Sequence, residues 1–153
     1  MKKLLVRDLD LMGKRALVRV DFNVPLDENQ NIVDDTRIRM TLATIEHILN
    51  AGASAVLMSH LGRPKGKVVD TLSLKPAAER LGTLLNKEVR LAPDCVGDEV
   101  SRMASELRSG ECILLENLRF HSEETSNDED FSRRLASLGN VYVNDAFGTA
   151  HRA

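Results

Sequence analysis

Four arginines, a histidine pair and one aspartate–asparagine pair carry the chemistry this sequence has to offer. Asp21 and Asn23 flank Phe22 just after the apolar residues Leu17, Val18 and Val20. His60, Leu61, Gly62 and Arg63 follow the run Ala55-Val56-Leu57-Met58-Ser59. Arg119 follows Cys112-Ile113-Leu114-Leu115, and His151 and Arg152 follow Val141-Tyr142-Val143. Arg37 stands at the start of a helical pattern. Guanidinium groups grip phosphate and carboxylate through a planar fork of donors. A convergent set of them is therefore a receptor for a small anion. Each residue also has a plainer use. Asp21 and Asn23 can bond turn backbone, Arg63 and Arg119 can pair with loop carboxylates, and His60 can cap a turn. His47, in mid-helix, and His121 are left out of the set.

The elements around these residues decide whether they converge. The β-favouring residues of 15–21 predict a strand, stopped by Pro25, which cannot continue a ladder. The polar stretch 27–31 predicts a loop or hairpin tip. Ile38, Leu42, Ile45 and Leu49 predict a helix over 36–50, capped by Asp35 or Thr36 and closed by Gly52. Residues 55–59 form a second strand; its unbroken apolar character predicts burial on both faces, as in a parallel sheet. A loop over 60–71 leads to a helix opened by Ser73 with Pro76 in its first turn. Strands at 88–91, 112–115 and 141–143 alternate with a helix at 98–107 and another carrying Phe131, Leu135 and Leu138, ended by Gly139. Repeated β-α units predict an α/β fold: an open, parallel, Rossmann-like sheet with crossover helices on both faces. In such a sheet all strand carboxyl ends share one edge. That edge then gathers Arg37, His60, Arg63, Arg119 and Arg152 with Asp21 and Asn23, and helix N-termini are expected to add donors there.

Composition narrows the function. Lys+Arg number 21 against 23 Asp+Glu, a net charge of -2, which gives no global field for nucleic acid. Aromatic residues make up 3%, too few for base-stacking surfaces. A hydrophobic fraction of 42% with 29% charged residues reads as a globular domain. No apolar run reaches membrane-spanning length, so no membrane partner is expected. Cys95 and Cys112 are read as buried free thiols in a reducing, cytoplasmic setting. Gly62-Arg63-Pro64-Lys65-Gly66-Lys67 is one residue short of a P-loop, and Val68 stands where Ser or Thr would hold Mg²⁺. Asp27, Asn29 and Asn31 begin like an EF-hand, but Ile32 replaces the required glycine. No cysteine–histidine spacing signals zinc, and no metal ligand is assigned.

Four stretches together resemble phosphoglycerate kinase, in order along the chain. They are Val18-Arg19-Val20-Asp21-Phe22-Asn23-Val24-Pro25, Ser59-His60-Leu61-Gly62-Arg63-Pro64, Leu115-Glu116-Asn117-Leu118-Arg119-Phe120, and Asn144-Asp145-Ala146-Phe147-Gly148-Thr149-Ala150-His151-Arg152-Ala153. The resemblance implies the N-terminal, 3-phosphoglycerate-binding domain of a monomeric glycolytic enzyme, over residues 1–153 and incomplete at its C-terminal end. It implies that His60, Arg63, Arg119 and Arg152 hold the substrate phosphate, with Phe22, Leu61 and Gly62 in the same motifs. Asp21 and Asn23 would orient the hydroxyl and carboxylate end. Arg37 would be catalytic, on the reacting carboxylate and then the phosphoryl group in flight. MgATP or MgADP would bind to a second domain absent from these residues, and the chain alone is expected to be inactive. Two alternatives stay open: a stand-alone module binding a phosphorylated metabolite, and another parallel α/β enzyme acting on one.

Overall fold

The computed structural model describes residues 10–126 and 128–145. Strands β1 (Arg15–Val20), β2 (Ser54–Met58), β3 (Val89–Leu91), β4 (Cys112–Leu114) and β5 (Val141–Asp145) form one sheet. Its order is β3-β4-β2-β1-β5, and each neighbouring pair is parallel. The helices are α1 (Thr36–Asn50), α2 (Lys75–Leu85), α3 (Asp98–Ser105), α4 (Ser122–Ser126) and α5 (Glu129–Ala136). The parallel α/β fold expected from the β-α alternation is therefore the observed one.

Alternate strand residues serve opposite faces. Ala16, Val18, Val20, Ala55, Leu57, Cys112 and Leu114 pack with Ile38, Ile45 and Ile48 of α1 and Ala77, Ala78 and Leu81 of α2. Leu17, Val56, Met58, Ile113 and Leu115 pack with Val100 and Ala104 of α3 and Phe131 and Leu135 of α5. Each fully buried aliphatic side chain contributes roughly 1.5–3 kcal/mol, so a sheet covered on both faces is the economical arrangement for these uninterrupted apolar strands. Handedness assigns the layers. The steps β1 to β2 and β2 to β3 run one way across the sheet; β3 to β4 and β4 to β5 run back. Right-handed crossovers then place α1 and α2 on one face and α3 and α5 on the other.

Two local expectations are corrected. The α1 start is not capped by the Asp35 or Thr36 side chain. Asp34 Oδ1 accepts from the Thr36 N–H at 2.9 Å instead. Asp35 is drawn off to Arg39 Nε at 2.9 Å and Arg80 Nε at 2.8 Å, which ties α1 to α2. The inner face of α1 is also wider than the four aliphatic positions. Thr41 and Ile48 are buried with it while Leu42 is only partly so, and the Thr41 hydroxyl is satisfied by donating to Ile38 O at 2.7 Å. Residues 27–31 do form a hairpin tip. Leu26 and Ile32 pair antiparallel, and Asp27 Oδ1 accepts from the N–H of Asn29 and of Asn31.

On the α3–α5 face, charged residues of β1 replace apolar ones at its ends. Arg15 donates to Ala104 O at 3.1 Å and Leu138 O at 2.6 Å, so one cation satisfies carbonyls at the ends of two helices. Arg19 pairs with Glu124 of α4 at 2.9 Å.

Candidate functional site

The chain leaving β2 turns toward α2 on one face. The chain leaving β4 turns toward α4 and α5 on the other. Adjacent parallel strands whose exits diverge open a crevice at their carboxyl ends, and here that crevice lies between β2 and β4. Its floor is the Asn117 side chain, which is 1% exposed. Asn117 Oδ1 accepts from Leu61 N at 3.2 Å and Arg119 N at 3.0 Å. Its Nδ2 donates to Leu61 O at 2.7 Å and Leu72 O at 3.0 Å. The loop after β2 is thereby sewn to the turn Leu118–Phe120 that carries Arg119.

Ser59 couples the third strand. Its Oγ accepts from Phe22 N at 2.9 Å and donates to His60 O at 2.9 Å. Past Phe22, Asn23 Oδ1 accepts from Gly62 N at 2.9 Å, and Asp21 Oδ1 accepts from Asn23 N at 3.1 Å. Arg37 donates from Nη1 to Asn23 O at 2.7 Å and to Asp21 Oδ1 at 3.3 Å. Gly62 and Gly66 let the loop run this close. Both have positive φ, and a Cβ would fall 2.9 Å from Leu72 Cδ2 and 2.9 Å from Ser122 Cβ respectively. Gly66 N also donates to Arg119 O at 3.2 Å.

The charges are unevenly spent. Glu116 is consumed by structure: its carboxylate accepts from Ser73 Oγ, Leu74 N and Asn117 N, which caps α2. Asp21 is committed to Arg37 and to the turn. Arg63 is exposed and, among the described residues, makes no ion pair or hydrogen bond through its side chain. Arg119 Nε is buried and meets no hydrogen-bond partner among the described residues. His60 is half-buried, and burial first, then the fields of Arg119 and Arg19, push its pKa below the ordinary 6.5. Asp21 and Glu124 pull the other way. So His60 senses both sides of the crevice and stays neutral at pH 7.

The structure brings Asp21, Asn23, Arg37, His60, Gly62, Arg63 and Arg119 to one edge. Phe22 and Leu61 are there only as backbone; their side chains are in the core, and their N–H groups are already donated. The Gly62 N–H is likewise used. Arg152 and His151 lie outside the described residues. The donors expected at helix N-termini are partly used: the Thr36 N–H of α1 goes to Asp34, and at α2 the Leu74 and Lys75 N–H groups go to Glu116 and Ser73. Ser59, Glu116 and Asn117 stand among the polar residues that follow the apolar strands, but the sequence alone assigns them no role at the site. The open groove of about 840 Å³ beside Asp35, Arg39 and Arg80 holds none of the candidate residues.

Among the described residues, a five-stranded parallel sheet carries Arg37, Arg63, Arg119 and His60 at the carboxyl ends of its strands, which is an α/β architecture. Comparison with known proteins gives the family. Residues 6–153 match the family model described as phosphoglycerate kinase. The chain is 61% identical to the phosphoglycerate kinase of Aquifex aeolicus over 152 residues, 99% of this chain and 38% of that protein. It is 59% identical to the one from Chloroherpeton thalassium, over 100% of this chain and 38% of that protein. Phosphoglycerate kinase structures from Coxiella burnetii and Pyrococcus horikoshii OT3 superpose with TM-scores of 0.83 and 0.84 at 35% and 32% identity. They cover 97% and 99% of this chain and 36% and 38% of those chains. The chain belongs to the phosphoglycerate kinase family, and it spans about 38% of the length of the curated relatives it matches.

Two measurements test this geometry. Asn117→Ala strips buried partners from Leu61, Leu72 and Arg119 at once. It should cost about 2–4 kcal/mol in urea unfolding, because unpaired buried polar groups carry roughly 1–3 kcal/mol each; a loss below about 0.5 kcal/mol would contradict the role given to it. His60 should titrate below 6.5 by NMR. Since its folded pKa is depressed, the unfolded chain takes up the proton first, and this group's share of stability falls as pH drops below 6.5. A midpoint at or above 6.5 contradicts the assignment.

Proposed function

We propose that these residues form the substrate-binding part of a phosphoglycerate kinase, receiving 3-phosphoglycerate or 1,3-bisphosphoglycerate at the carboxyl edge of the sheet. The observation that carries this is the buried Nε of Arg119, without a hydrogen-bond partner among the described residues, close enough to His60 for its field to lower that pKa. A buried donor without an acceptor is costly, and a phosphate oxygen removes that cost. Arg152 is assigned to the same phosphate from its motif. Asp21 and Asn23 take the hydroxyl and carboxylate end.

Arg37 is assigned to the reacting carboxylate. In this arrangement Asp21 Oδ1 and Asn23 O hold it, half exposed, across the loop from Gly62. The reaction is phosphoryl transfer between the acyl phosphate of 1,3-bisphosphoglycerate and ADP, and its reverse with ATP. In the reverse direction the attacking carboxylate has no proton to lose, so no general base is needed. What the chemistry needs is in-line placement and balance of negative charge spread over the moving phosphoryl group. Arg37 supplies the charge; Asp21 fixes where it starts. The nearby carboxylates of Asp21 and Glu116 are already engaged by Arg37 and by the α2 cap, so the edge suits an anion better than Mg²⁺. MgATP is therefore assigned, as co-substrate, to a part of the whole protein beyond these 153 residues. The reading carries with it a cytoplasmic, monomeric enzyme.

Titrating the 153-residue chain with 3-phosphoglycerate should move the amide resonances of Asp21, Arg37, Arg63 and Arg119 and raise the His60 midpoint, while a coupled assay shows no ATP-dependent turnover. Shifts confined to other residues, or none at high concentration, refute the site; turnover by the chain alone refutes the division of labour. In the whole enzyme, Arg37→Ala should lower kcat by about 100-fold or more, the range for losing one preorganised transition-state contact. KM should move only a few-fold. Equal losses in kcat and in substrate affinity would make Arg37 a ground-state clamp.

A further inference from the structure

On the α3–α5 side of the sheet, three different donor types meet. Asp94 and Cys95 precede α3, and His121 precedes α4. A carboxylate oxygen of Asp94, the sulfur of Cys95 and a ring nitrogen of His121 all lie within 4.8 Å of one another. We propose that Asp94, Cys95 and His121 form a binding site for one divalent cation of the zinc class, with a coordination position left open.

The chemistry of the donor set selects the ion. A thiolate, an imidazole and a carboxylate together suit a borderline-soft ion such as Zn²⁺ or Co²⁺, whereas Mg²⁺ and Ca²⁺ prefer oxygen alone. Three protein ligands with a fourth position for water is the arrangement of an open zinc site. The groups also stand in the order such a site needs. Cys95 Sγ is buried at the bottom, and the Asp94 and His121 side chains above it are 47% and 25% exposed. Behind the imidazole, His121 Nδ1 faces Glu123 Oε2 at 3.9 Å, and the ring packs on Phe131 with centroids 5.3 Å apart. A carboxylate behind a metal-bound histidine fixes its tautomer and orientation. The second thiol cannot take part, because Cys112 belongs to the core on the opposite face of the sheet.

Without the ion the same groups hold one another by protons. Asp94 Oδ1 accepts from Cys95 N and pairs with His121 Nε2, each at 2.7 Å. Burial, with the Asp94 carboxylate beside it, pushes the Cys95 thiol well above its ordinary pKa. Loading is an exchange. The thiol proton leaves to solvent. The imidazole changes tautomer through solvent, losing the Nε2 proton as Nδ1 takes one up, so that Nε2 is free for the metal and the ring's single proton sits on Nδ1, toward Glu123. Bond lengths of about 2.3 Å to sulfur and 2.0–2.1 Å to nitrogen and oxygen require donors roughly 3.3–3.6 Å apart. The Asp94–His121 contact, 2.7 Å without the ion, therefore opens by roughly 0.6 Å. The motif is invisible to spacing rules, because Asp94 and His121 are 27 positions apart.

Co²⁺ titrated into the reduced, chelator-treated 153-residue chain should give one equivalent of a thiolate-to-cobalt charge-transfer band. Zn²⁺ should displace it and equimolar Mg²⁺ should not. Cys95→Ser should abolish the band and Cys112→Ser should leave it. His121→Gln, at a position exposed enough to spare the fold, should weaken binding more than the roughly 10–100-fold expected of the outer change Glu123→Gln. Circular dichroism of each variant checks that it folds. No band, a band that survives His121→Gln unchanged, one that requires Cys112, or equal displacement by Mg²⁺ overturns the proposal.

Discussion

One buried amide holds the candidate site together. Asn117 uses both lone pairs of its oxygen and both protons of its nitrogen, on Leu61, Leu72 and Arg119. Inside a core such an amide is costly until it is satisfied and strongly position-specific once it is. No apolar residue of the same size could replace it, because the loop after β2 would then bury its own backbone groups unpaired. With Asn117 in place the Leu61 backbone is fixed, Gly62 is presented to Asn23, and Arg119 is held over the crevice. Ser59 extends the arrangement to Phe22. Three strands that contribute separately to the fold thus end in one rigid rim.

The rim is built so that its positive charge is left over. Three carboxylates at this edge are put to structural use: Glu116 on the start of α2, Asp21 on Arg37, and Glu124 on Arg19. His60 is kept neutral by burial and by its cationic neighbours. Among the described residues, what remains is the guanidinium of Arg119, whose buried Nε meets no hydrogen-bond partner, and the exposed Arg63. The folded chain bears the cost of that uncompensated charge in advance. In the proposed function, an anion meets donors that need little reorganisation, which is how preorganisation converts folding energy into affinity. The slight negative charge of the whole chain, -2, says nothing about this local excess.

How much of this could be read from the sequence depended on whether the signal was local. The strands and the α1 helix were legible because their apolar patterns have no other use; α1 was expected at 36–50 and is Thr36–Asn50. The shared edge was legible because parallel β-α units permit only one. The cap at Asp34 was missed because three neighbouring polar residues, Asp34, Asp35 and Thr36, all qualify locally. Arg80, from another helix, decides which one is taken away. Free helix N-termini were expected for the same reason: nothing near Ser73 in sequence reveals that Glu116, 43 positions on, takes donors at that end. Asn117 and Ser59 were visible as polar residues after strands, but their bonds run to loops 56 and 37 positions away, and no periodicity encodes such pairings. The family resemblance reached further than the physics because it carries these long-range pairings implicitly in its motifs.

The plain and the functional readings of Asp21 and Asn23 prove to be parts of one design. Both side chains bond turn backbone, as isolated Asx residues do, and that reading is correct as far as it goes. Yet the groups they hold are Gly62 and Arg37, and neither would otherwise be fixed at this edge. A turn built from apolar residues could reverse the chain after β1, but it would offer no acceptor for Arg37 and no hold on the loop after β2. Asp21 also keeps an exposed cation of the edge from drifting into solvent, at a pair distance of 3.3 Å that a better anion can outcompete. An Arg–Asp contact this exposed is worth little by itself. That weakness is what allows Arg37 to leave it, and a tighter pair at this position would stabilise the fold at the expense of the reaction proposed for it.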